Sequence, residues 1–142
     1  MPTRAQLSEA AEHQGGHTPL MVAALDGETA TVKRLLSRGA DVNERDQGGR
    51  TALMFAVSNM HRDCAKALLE HGADLNAKAN DGATALILAV SSGDREVVQD
   101  LLSKGADVMA KVNQSGKTAW EIAKEKGYSE IVRLLEVAGA KQ

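Results

Sequence analysis

Aromatic side chains are nearly missing: one phenylalanine, one tryptophan and one tyrosine occur in 142 residues. Phe55, Trp120 and Tyr128 cannot make the stacking platforms that carry single-stranded bases. Alanine, leucine and valine must supply the core instead. A charge excess is missing as well. The net charge of −2 is far from the basic balance of nucleic-acid binders, so no nucleic-acid partner is expected. One cysteine, Cys64, allows no internal disulfide, which fits a reducing compartment. No apolar run approaches the ~20 residues that span a bilayer, and the first twelve residues carry no apolar signal core. These absences lead to the expectation of a soluble, cytoplasmic, monomeric chain without a membrane partner.

What the chain does have is repetition. Gly39-Ala40-Asp41 returns as Gly72-Ala73-Asp74, as Gly105-Ala106-Asp107, and in altered form as Gly139-Ala140-Lys141. Ahead of each stands a threonine that opens an apolar run: Thr18-Pro19-Leu20, Thr51-Ala52-Leu53, Thr84-Ala85-Leu86 and Thr118-Ala119-Trp120. The threonines lie 33, 33 and 34 residues apart. Such a period belongs to small units that cannot bury an apolar face alone and are stable only against neighbours.

One unit can be read as physics. Thr51 precedes Ala52-Leu53-Met54-Phe55-Ala56-Val57, a run suited to a two-turn buried helix whose first amides the threonine hydroxyl caps. Pro19 follows Thr18 at the first helical position, where its missing N–H costs nothing. A second helix from Arg62 to Glu70 places Cys64, Ala65, Leu68 and Leu69 on one face. Leu69 is expected to meet the neighbouring unit. Gly72 then ends the helix in the left-handed conformation that glycine takes cheaply. Asn80-Asp81-Gly82 signals a turn.

Enzyme chemistry finds little support. Gly116-Lys117-Thr118 suggests the tail of a phosphate loop, but Lys111 stands where its first glycine is needed. No Gly-x-Gly-x-x-Gly occurs. His61, Cys64 and His71 form the one metal-like grouping, yet His71 sits roughly 15 Å along the helix from His61, and zinc wants four ligands in reach. Cys64 is expected to be buried and structural. His13 and His17 read as solvated loop histidines, and no base stands beside Ser58, Ser91 or Ser92. No catalytic residue, metal site or cofactor is expected.

The unit resembles the ankyrin repeat, whose phrase runs approximately G-x-T-P-L-H-x-A-A, then a second helix ending L-L, then G-A-D-V-N-A. Ala23-Ala24, Leu35-Leu36 and Asp41-Val42-Asn43 match it. The resemblance covers residues 13–142, as repeats 13–45, 46–78, 79–112 and 113–142. It implies an all-α solenoid of stacked antiparallel helix pairs with projecting hairpin-like loops. A single domain over residues 1–142 is expected, with residues 1–12 as an N-terminal capping helix and the last repeat as the C-terminal cap. Three departures stand out. Met21, Met54, Ile87 and Glu121 replace the family histidine, so its bond to threonine is expected to be lost. Met60 replaces a glycine between helices. Met109 replaces an asparagine, and with the extra residue Val112 the junction of repeats three and four is expected to be the loosest seam.

The family resemblance implies binding through loop tips and the inner ends of first helices, which line a groove. The tips are Arg45, Gln47 and Arg50, then Lys78, Asn80 and Asp81, then Lys111, Gln114 and Lys117. The floor includes Leu25 and Asp26, Ser58 and Asn59, Ser91 and Ser92, and Glu125 and Lys126. Five cations against Glu44, Asp46 and Asp81 make the rim mildly basic. The expected function is a non-catalytic protein–protein interaction module that holds a partner protein or an extended peptide, an acidic one by preference. The alternatives are an engineered scaffold with no evolved partner, which Met60, Cys64, Met109 and Val112 count against, and a small-ligand or enzymatic site.

Overall fold

The computed structural model describes residues 16–140. The expected capping helix over residues 1–12, together with His13, lies outside them. Among the described residues there are eight helices and no strand, only an isolated antiparallel bridge between Lys111 and Thr118. The helices are α1 (Pro19–Asp26), α2 (Thr29–Ser37), α3 (Ala52–Ser58), α4 (Arg62–Glu70), α5 (Ala85–Ser92), α6 (Arg95–Ser103), α7 (Ala119–Lys126) and α8 (Ser129–Val137). The period read from the threonines is thus a pair of helices, met four times.

Each first helix starts on its threonine. Thr18, Thr51, Thr84 and Thr118 accept through their side chains from the amides of Met21, Met54, Ile87 and Glu121. These are third-position amides that the helix itself leaves unbonded. Thr51, Thr84 and Thr118 are themselves buried. The loss expected from replacing histidine is made good in the last repeat. Glu121 Oε1 accepts from Thr118 N at 3.2 Å and from Thr118 Oγ1 at 3.3 Å, a reciprocal capping box. Glu121, half-buried, therefore serves the cap.

The chain forms two compact units, one ending at Asp74 and the other beginning at Leu75. In the first unit α1 packs on α3 and α2 on α4, while α1–α2 and α3–α4 are the hairpins. Leu20, Val32, Leu53, Val57 and Leu68 are among its buried aliphatics. Leu68 is 0% exposed and Leu69 only half-buried, which corrects the face expected for Leu69. The buried set of α4 is Cys64, Ala65, Ala67 and Leu68, a stripe turned one residue from the expected one. Cys64 is buried as expected, with Sγ 3.3 Å from Thr29 Oγ1.

In the second unit α5 packs on α7 and α6 on α8, with α5–α6 and α7–α8 as hairpins. Leu86, Val90, Val98, Leu101 and Leu135 fill it. First helix on first helix and second on second is the arrangement in which each hairpin shields its neighbour's apolar face.

Candidate binding surface

The loops are tied repeat to repeat by asparagine. Asn43 Oδ1 accepts from Asp74 N at 2.7 Å, and Asn43 Nδ2 donates to Gly72 O at 3.3 Å. Asn76 Oδ1 accepts from Asp107 N at 2.7 Å in the second unit. At Met109 the side chain is 45% exposed. The expected loosest seam nevertheless carries its own ties. Asn113 N donates to Asp81 O at 2.8 Å, and Asn113 Nδ2 donates to Asn80 O at 2.8 Å. The extra residue lets the longer loop reach back to the preceding tip.

The inter-helix turns also meet in pairs. His61 Nε2 lies 3.0 Å from Leu25 O, at the end of α1. A β-carbon on Gly27 would stand 2.6 Å from the His61 ring, and one on Gly93 would stand 3.1 Å from Tyr128. A cleft of about 400 Å³ lies beside the first pair and one of about 280 Å³ beside the second. Met60, in the place of a glycine, holds a left-handed φ of 60°. The three residues of the metal-like grouping are engaged separately: His61 at Leu25, Cys64 at Thr29, and His71 Nδ1 2.9 Å from Ala67 O.

The tip residues fall into different settings. Arg50 bonds Asp46 Oδ2 through Nε at 3.3 Å, with its guanidinium carbon 5.1 Å from the Phe55 ring centre. Asp46, read from sequence as a rim anion, is buried. His17, read as solvated, is half-buried with Nε2 3.2 Å from Asp46 Oδ2 and its ring edge-on to Phe55 at 5.4 Å. Burial of a carboxylate is tolerated when its oxygens are bonded, and this pairing over 29 residues leaves no signal in a local reading.

Lys117 pairs with Glu125, so it is partly neutralised, as Arg50 is by Asp46. Asp81 Oδ1 accepts from Ala83 N at 3.0 Å within its turn. Arg45, Gln47, Lys78, Asn80, Lys111 and Gln114 are exposed. Ser58 and Asn59 are exposed at the end of α3, where Asn59 Nδ2 donates to Phe55 O at 2.9 Å. Ser91 and Ser92 are half-buried at the end of α5. No helix among the described residues is long and apolar enough to cross a membrane.

A family model described as ankyrin repeats (3 copies) matches residues 4–79, 20–112 and 77–141. No curated protein matches the chain. Threonine-capped first helices and second helices followed by a left-handed glycine recur through the matched residues. The chain belongs to the ankyrin repeat family, whose repeats are generally protein-interaction modules.

Proposed function

We propose that the chain is a non-catalytic interaction module whose ligand, a partner protein or an extended acidic peptide, lies along the loop tips and the inner ends of the first helices. In the first unit these are Arg45, Gln47, Arg50, Ser58 and Asn59. In the second they are Lys78, Asn80, Asp81, Ser91, Ser92, Lys111, Gln114 and Lys117. One observation supports this reading most. Six residues of α3 in succession, Ala52 to Val57, are buried, and Ser58 and Asn59 are at once exposed. A helix that hides every other side chain can show a partner only this end and the loop beside it.

Small polar side chains there leave room for a ligand, and rim charges act more on encounter and orientation than on tightness. The ion pairs at Arg50 and Lys117 lower the rim's excess charge, so any acidic preference depends on individual cations. The test is capture of a partner by the wild-type chain, followed by two sets of variants. Ser58→Arg and Ser91→Arg are expected to abolish capture, while Lys66→Glu and Lys104→Glu on the outer helices leave it intact. The reverse pattern would move the interface to the outer helices.

A further inference from the structure

Asp46, Arg50 and Phe55 form a cluster found at one junction among those described. The same places in the third repeat hold Ala79, Ala83 and Leu88, and in the fourth Val112, Lys117 and Ile122. The turn itself does not need the charged pair. Ala79 N donates to Ala83 O at 2.8 Å, closing the turn that Asp46 N and Arg50 O close at 3.0 Å. The arginine and its buried carboxylate are an addition to a turn that forms without either.

Every oxygen of Asp46 is in use. Oδ1 accepts from Gly48 N at 2.9 Å and from Arg50 N at 2.8 Å, while Oδ2 faces Arg50 Nε and His17 Nε2. Arg50 is held from one side by this carboxylate and from its face by the Phe55 ring. Its side chain is still 50% exposed. Nε is committed to Asp46, and the two terminal amino groups have no partner among the described residues.

A guanidinium is planar and always charged, and its paired N–H groups match the two oxygens of a carboxylate. Most exposed arginines lose rotamer freedom when they bind. This one has lost much of it on folding, which lowers the cost of engagement. On the adjacent helix α1, Val22 and Leu25 are 44% and 40% exposed, so apolar surface lies on the helix that packs against the one carrying Phe55. We infer that Arg50 is a pre-positioned anchor for an Asp or Glu side chain of an amphipathic, extended peptide. The inference rests on the interaction reading above and names the chemistry of its ligand.

The probe is a short capped peptide alternating glutamate and leucine, compared with one alternating glutamine and leucine. Binding is followed through the Arg50 side-chain Nε–H signal in nitrogen-15 spectra. The glutamate peptide is expected to move that signal saturably and the glutamine peptide to leave it in place. Arg50→Gln should weaken affinity about tenfold or more, the scale of a charge-assisted hydrogen bond. Arg50→Lys should recover only part of the loss, because a lysine cannot make the planar fork. Phe55→Leu should weaken binding with the charge unchanged, which simple surface attraction would not do. Thermal unfolding of Arg50→Gln close to wild type separates lost binding from lost fold.

An unmoved Arg50 signal overturns the anchor, as does an equal loss of affinity in Arg50→Gln and in the outer-helix variant Lys66→Gln. Shifts at Ser58 and Asn59 without Arg50 would overturn the anchor alone and leave the interaction reading standing. Failure of the interaction reading would instead show in the partner-capture variants.

Discussion

A β-carbon on Gly82 would stand 2.6 Å from Asn113 Oδ1 and 2.6 Å from Lys111 O. Gly82 also holds a φ of +88°, so both its backbone shape and its lack of a side chain serve the approach of the longer loop. The loop's extra residue, the glycine and the asparagine act together. Gly82→Ala is expected to cost ~1–3 kcal/mol, from left-handed strain and a backbone clash. Asn113→Ala should cost about 1 kcal/mol, the worth of a hydrogen bond. Urea unfolding of both variants and of the double variant checks this. The double variant should be less damaged than the sum, because the clash and the bond concern the same contact.

Leu68 and Leu69 are adjacent in sequence and unlike in setting. Leu68→Ala should destabilise by ~2–5 kcal/mol, the range for a fully buried leucine. Leu69→Ala should cost less than half as much in the same denaturation series. Equal losses would show that the buried stripe of α4 runs differently from Cys64, Ala65, Ala67 and Leu68.

Met60 holds a left-handed backbone, which costs a residue with a side chain ~1–2 kcal/mol. Glycine would remove most of that strain and add its own entropy cost of roughly 0.5–1 kcal/mol. Met60→Gly is therefore expected to stabilise by up to about 1 kcal/mol, read as a rise in melting temperature. A fall would show that the exposed thioether contributes more than the strain removes.

Thr118 is buried and bonded both to the Glu121 amide and to the Glu121 carboxylate. Thr118→Val keeps its shape and removes the hydroxyl. The expected loss is about 1 kcal/mol, the usual worth of a cap, measured by thermal unfolding. Glu121→Ala should cost less, since the threonine still caps the helix.

Much of this architecture is legible in the sequence because it is local and periodic. The capping threonines, Pro19 and the terminating glycines each act within one turn, so their spacing places the helices directly. The Thr118–Glu121 box is legible too, as threonine followed three residues later by glutamate. Other features depend on residues far apart in the chain. Asp46 reads as a rim anion until His17 is brought beside it, and His61 reads as part of a metal-like grouping until it meets Leu25. Leu68 and Leu69 both fit a helical period, and only the angle at which α4 meets its neighbour decides which is buried. The candidate surface follows from repeat positions, which the periodic spacing of the threonines and glycines fixes. Its electrostatics do not, because pairs such as Lys117–Glu125 depend on side-chain reach.

The most direct measurement is hydrogen–deuterium exchange of the chain with and without its captured partner. Protection is expected at the loop tips and at the ends of α3 and α5, around Ser58, Asn59, Ser91 and Ser92, with the outer faces of α2, α4, α6 and α8 unchanged. Protection confined to those outer helices would contradict the account.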